Sequence, residues 1–318
     1  MPDGARNDTG LLLDPVYQRH KTGSGHPECP ERYSAVTRAL EEAGLARTLP
    51  RVAARAANED DLLLCHHRPY LQIVKHDIAR GARVLSTGDT PLSESSFDVA
   101  VMAVGGVLAG VDAVFHKKVR NAFIAVRPPG HHATPARGMG FCLFNNIAIG
   151  ARYAIKAHGA ERVLIADWDV HHGNGTQDTF YEDPSVFFFS THQYPWYPGT
   201  GAAGETGSGA GAGTTMNCPF PAGAGRAELL GAVKNRLLPA ANAFKPDLVM
   251  ISAGFDSRRG DPLGRFLLKD DDFAEMTSLL MEVADKHCAG RVVSVLEGGY
   301  DLSGLARATV AHVEALRT

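Results

Sequence analysis

The chain is short of pairable cysteines. Its five (Cys29, Cys65, Cys142, Cys218, Cys288) are scattered, odd in number and never spaced as CxxC. That excludes a disulfide framework and a cysteine-rich zinc module. Neither charge is in excess: 32 basic against 35 acidic residues leave a net charge of −3. No nucleic-acid or anionic-membrane surface is expected to be its main business. Short basic spots (Lys117, Lys118, Arg120; Arg258, Arg259) read as solvated loops or helix ends. No stretch approaches the roughly 18 apolar residues of a membrane span, and MPDGARNDTG at the start has no apolar signal-peptide core. A reducing cytoplasm is the expected home. Compositional breaks and internal repeats are lacking too, so the 318 residues, 44% hydrophobic, read as one domain with a short flexible N-terminus over about residues 1–8.

Present instead is an alternation of short apolar runs and helical periodicities. Apolar runs at 9–13, 121–127, 162–169, 186–191, 247–253 and 291–297 predict strands. Helices are expected over 31–44, 60–76 (broken near Arg68-Pro69), 96–115, 145–158, 176–181, 226–244, 271–288 and 301–317. Strand followed by helix, repeated, predicts an α/β fold with a parallel sheet covered on both faces.

The most informative stretch is RVLIADWDVHHGNG, residues 162–175. Its apolar run stops at Asp167, Asp169, His171 and His172, at the carboxyl end where open α/β sheets place ligands. Asp169 and His171 are two apart, so in extended chain they point the same way and supply two thirds of a three-ligand zinc site with room for water. Other strand ends add His131-His132 in RPPGHH, Asp256 in SAGFD, and Glu297 and Tyr300 in LEGGYD. In a parallel sheet these ends share one edge. His66-His67 reads as an ordinary structural pair. The segment GTGAAGETGSGAGAG (199–213) contains a formal GxGxxG, but it neither follows a strand nor opens a helix. It is therefore no dinucleotide fingerprint but a loop whose backbone runs close to a ligand or to other backbone.

RPPGHH, DWDVHHGNG, SAGFD and LEGGYD in this order, with GHPECPER, GMGFCLFNN and YPGTG, resemble the histone deacetylase and acetylpolyamine amidohydrolase superfamily over residues 10–302. The resemblance implies a three-layer α/β/α arginase-like fold with a mostly parallel eight-stranded sheet, and zinc-dependent removal of an acyl group from an amine. By position it makes Asp169, His171 and Asp256 the zinc ligands and His132 the general base and acid. It makes His131, held by Asp167, the electrostatic histidine and Tyr300 the oxyanion donor. Gly140, Phe141 and Tyr197 match a narrow channel for the acyl-lysine stem, Asp89 a rim aspartate, and Arg32 an arginine at an internal channel thought to serve acetate release. Asp167, Asp169, His171, Ser190 and Thr191 match a potassium site; Phe180, Asp183, Val186 and Thr214 match a second, weaker one.

Two departures bear on the subgroup. Asn174 stands where class I members carry aspartate, which resembles class II and should leave the His132 pKa lower than a charged partner would. Leu263 stands where a polyamine-selective relative carries a gatekeeper glutamate, so it offers no anion to a second ammonium group. Tyrosine at 300, not the histidine of a weakly deacetylating subgroup, implies a competent enzyme. The expectation is a zinc amidohydrolase of class II type acting on acyl-lysine peptides or small acylated amines, without nucleic acid or membrane; homo-oligomers stay open. An acetylpolyamine amidohydrolase is the rival of like chemistry, and a non-catalytic acyl-lysine binding or scaffold protein the rival of another class.

Overall fold

A computed structural model describes residues 8–318. The expected flexible terminus lies outside these except for Asp8, whose carbonyl accepts the Arg120 N–H at 2.9 Å. Seven strands form one wholly parallel sheet: β1 (Thr9–Leu12), β2 (Asn121–Ile124), β3 (Val163–Asp167), β4 (Val186–Gln193), β5 (Thr215–Phe220), β6 (Leu248–Ala253) and β7 (Val292–Leu296). Apart from β5 they are buried along their whole length, as their unbroken apolar runs require once helices cover both faces.

The sheet order is β1-β2-β7-β6-β3-β4-β5. The chain makes β3, β4 and β5 in turn, then returns to fill the gap between β3 and β2 with β6 and β7. As a result β2, β7, β6 and β3, whose carboxyl ends carry the chemistry, are immediate neighbours. On one face Ser96–Phe115 packs with Asn146–His158; on the other Asp270–Cys288, Leu302–Leu316 and Pro30–Glu42 pack together.

Three expectations need correction. Among the described residues the sheet has seven strands, not eight: on the open side of β1 they make a single parallel bridge, Leu11 to Arg51. The residue-based reading in turn missed β5. Second, Ser96–Phe115 is long and apolar enough to cross a membrane, with a mean hydropathy of 1.8. In the fold it is a core helix, buried from Ala103 through Val111. Third, β3 ends at Asp167, so Asp169 and His171 are not on a strand. They face the same way because Asp169 Oδ1 accepts the His171 N–H at 2.9 Å in a tight turn.

Candidate active site

Beyond β3, Asp169 and His171 meet Asp256 from beyond β6, and one donor atom from each lies within 4.8 Å of the others. Backbone N–H groups hold the carboxylates in place. Asp169 Oδ2 accepts Gly298 N at 2.9 Å, and Asp256 Oδ1 accepts Val170 N at 2.8 Å. His171 Nδ1 is 2.9 Å from Asp169 Oδ1 and 3.2 Å from Asp256 Oδ2.

A divalent cation fits this set. Asp256 Oδ2 is buried with no hydrogen-bond partner, a costly state for a carboxylate oxygen unless an ion or proton meets it. Burial and then the Asp169 charge push the Asp256 pKa up. Burial would raise Asp169 as well, but His131 and His171 hold it down. Against burial, Asp169 and Asp256 push His171 up to about 10. Two carboxylates in so dry a place demand a positive charge, and two oxygens plus an imidazole nitrogen form an open three-ligand set suited to zinc.

Next to these ligands stand two histidines with opposite partners. His131 Nδ1 is 2.9 Å from Asp167 Oδ2, and its Nε2 is 3.8 Å from Asp169 Oδ2. Burial disfavours its charge, yet Asp167 and Asp169 outweigh that and raise its pKa. His132 Nδ1 is 2.8 Å from Asn174 Oδ1, which can only accept. Asn174 Nδ2 is turned the other way, 3.5 Å from the His132 carbonyl, so His132 carries its proton on Nδ1 and keeps the Nε2 lone pair free. Burial, then the neighbouring His131 and His171, lower its pKa. The two neighbouring imidazoles are thus pushed in opposite directions, the usual mark of divided acid and base roles.

Above this floor is a cavity of about 270 Å³ lined by His132, His171 and Tyr300 below and by aromatic side chains above. Every residue expected for substrate contact is in its wall: Gly140, Phe141, Tyr197, Asp89 and Leu263. At Gly140 (φ 56°) an added Cβ would lie 2.2 Å from His132 Cδ2, so only glycine lets the wall close on the His132 ring. Phe141 is itself left-handed (φ 68°), a strained state that turns its ring toward Tyr300, centroids 6.1 Å apart. Asp89 accepts Gly140 N at 2.7 Å and stands 3.5 Å from the Tyr197 hydroxyl.

Arg32 is fully buried behind Tyr300, its guanidinium 4.9 Å from the ring centre, and it donates to the carbonyls of Glu297 and Gly299 at 2.6 Å each. Of the first potassium set, Asp167 and Ser190 are paired across β3 and β4, and Thr191 Oγ1 is buried without a partner. In the second, the Asp183 carboxylate is already taken by Arg152 and Ser185. His66 is structural: its Nδ1 is 3.0 Å from the Thr134 carbonyl, and its Nε2 accepts Asn145 N. The glycine-rich loop does run close to its neighbours, since at Gly201 (φ 91°) a Cβ would meet His192 Nε2 at 2.4 Å.

Sequence reasoning missed Trp196, Glu28 and Asp261, and named Glu297 at its strand end without giving it a role. Trp196, in the cavity wall, donates to the Leu263 carbonyl at 3.0 Å. Glu28 is buried in a bidentate pair with Arg127 (2.5 and 2.7 Å) and accepts from Arg32 at 3.0 Å, so it anchors the base of the RPPGHH turn. Glu297 accepts Gly130 N and His131 N at 2.7 and 3.2 Å and fixes the turn's tip. Asp261 holds the backbone at Tyr300. Their motifs, YPWYPG, GHPECPER, LEGGYD and GDPLG, were the available signals.

The histone deacetylase domain model matches residues 26–316. A probable deacetylase of Archaeoglobus fulgidus is 40% identical over 298 residues, 93% of this chain and 82% of that protein. The human polyamine deacetylase HDAC10 is 41% identical across 91% of this chain, which covers 45% of that longer protein. The crystal structure of the HDA15 HD domain superposes with a TM-score of 0.92 at 37% identity, covering 98% of this chain and 88% of that one. With the site geometry, these place the chain in the histone deacetylase family.

Proposed function

We propose that this deacetylase-family chain is a zinc-dependent deacylase that hydrolyses acyl-lysine side chains, or small acylated amines, to carboxylate and amine. The observation that carries the reading is the floor of the cavity, where Asp169, His171 and Asp256 converge beside His132, bonded to Asn174, and His131, bonded to Asp167. Asp169, His171 and Asp256 would hold the ion; when bound, zinc polarises an amide carbonyl and lowers the pKa of water towards 7. His132 Nε2, with its lone pair free, takes the proton of the attacking water and returns it to the nitrogen as the C–N bond breaks. His131, held by Asp167, adds a fixed positive charge nearby, and the Tyr300 hydroxyl donates to the oxygen on which negative charge develops. Phe141 and Tyr197 enclose an aliphatic stem and keep bulk water away from it.

Potassium belongs to the same proposal. The partnerless Thr191 oxygen supports a first ion among Asp167, Asp169, His171, Ser190 and Thr191; a second, at Phe180, Asp183, Val186 and Thr214, rests on the resemblance. Five free cysteines suit a cytoplasmic setting. A polyamine substrate is the second reading, because one relative is named a polyamine deacetylase. Leu263 favours the first, since the wall at that point offers no carboxylate to a distal ammonium group.

The test is initial rates on an acetyl-lysine peptide and on acetylputrescine, with and without chelator. Faster turnover of the peptide, lost with chelator, is expected. Preference for acetylputrescine supports the second reading, and zinc-loaded protein inert to both would be a binding protein.

A further inference from the structure

Tyr300 sits where the sheet's hydrogen-bond ladder has run out. β7 ends at Leu296, and the three residues before Tyr300 lead to Gly299, whose φ of 120° turns the chain sharply. At that point the Tyr300 and Asp301 N–H groups have no strand to bond, and a single side chain takes both. Asp261 Oδ2 accepts Tyr300 N at 2.6 Å and Asp301 N at 3.1 Å. Its other oxygen, Oδ1, accepts Leu263 N at 2.9 Å. The carboxylate is buried, 8% exposed, and all three bonds go to backbone. It therefore ties two segments of the cavity wall together, the turn that presents Tyr300 and the loop that presents Pro262 and Leu263.

We infer that Asp261 is a positioning residue for Tyr300: by holding the backbone N–H of Tyr300 it sets the distance of the phenol from the reacting carbonyl, and it touches no substrate itself. This rests on the oxyanion role given to Tyr300 above. The Arg32 guanidinium over its face and the Phe141 edge restrain the ring, and Arg32 Nε also donates to the Gly299 carbonyl at 2.6 Å, so the peptide entering Tyr300 is held at its oxygen by Arg32 and at its nitrogen by Asp261, which alone of the two also ties it to the Leu263 loop. Oxyanion donors work over a range of a few tenths of an ångström, and a misplacement of about 1 Å can cost about 10²-fold in rate.

The test is a double-mutant cycle on the zinc-loaded enzyme with an acetyl-lysine peptide. Tyr300→Phe, Asp261→Asn and the pair are compared by kcat and by zinc content. Asparagine keeps the shape but offers one acceptor oxygen in place of two. Asp261→Asn is expected to lower kcat by about 10- to 100-fold with one zinc retained, and to have less than about a two-fold further effect in the Tyr300→Phe background. Asp261→Glu, which keeps both oxygens on a longer arm, serves in the same cycle should the asparagine variant not fold, with the same loss confined to the Tyr300 background. A loss of equal size in both backgrounds overturns the inference and leaves the Tyr300 assignment standing. Full activity of Tyr300→Phe alone overturns both.

Discussion

The floor and the mouth of the cavity are built on different principles. At the floor, Asp167, Asp169, His131, His132, Asn174 and Asp256 are all buried, and each is held by at least one named bond. At the mouth, Trp196 and Tyr197 are 38% and 36% exposed, and Asp89 is exposed as well. A floor so constrained suits one reaction, because small displacements there disrupt charge and proton transfer. A mouth made of loop side chains can vary in shape and charge while the chemistry below is kept. Substitutions at the floor should therefore act on kcat and those at the mouth on the choice between substrates.

The largest effect should come from the floor's centre. Asp256→Asn is expected to lower turnover by at least about 10³-fold and to leave less than one zinc per chain by elemental analysis, since the ion's charge stabilisation is worth several kcal/mol. Retained metal and activity would place the ligand set elsewhere. Next, Tyr300→Phe should cost about 10²–10³ in kcat with KM little changed and zinc in place, as loss of an oxyanion donor does. A rise in KM at constant kcat would move Tyr300 from the floor's function to the mouth's.

Asn174→Asp sharpens the floor itself. Burial and the adjacent histidines lower the His132 pKa, so the base is neutral and competent above that value. A negative partner on Nδ1 raises it, so the acid limb of the kcat/KM profile should move to higher pH, with less activity below it. An unmoved limb would mean that another group titrates there. The smallest effect belongs to the mouth. Leu263→Glu should raise the acetylputrescine to acetyl-lysine ratio of kcat/KM by about two- to five-fold, the reach of an exposed ion pair of up to about 1 kcal/mol. A change in kcat on both substrates instead would erase the division between the two regions.

That division also governs what could be read from sequence. Floor residues follow apolar strands, so Asp169 and Asp256 stood out as acids at the ends of runs of Val, Leu and Ile, and the resemblance then assigned their roles. The reason first given for Asp169 and His171 facing one way, strand alternation, was wrong; a turn closed by Asp169 does it. β5 was illegible because it follows a glycine-rich loop and contains Asn217 and Pro219, a composition tolerated at the sheet's edge, where it lies. Glu28 and Asp261 were missed, and Glu297 was named without its role, for another reason. The partners of Glu297 and Asp261 are mostly backbone N–H groups 39 to 167 residues away, and Glu28 meets Arg127 99 residues on. No periodicity marks a carboxylate of that kind. Trp196, at the mouth, had only a proline-rich loop around it.

The assignment of three side chains to one ion is best tested by stripping the protein with chelator and titrating zinc back, following peptide deacetylation and bound metal together. Activity should vanish on stripping and return in proportion to the first equivalent, reaching its plateau at one zinc per chain. Metal-free protein that still deacetylates at the original rate would contradict the account.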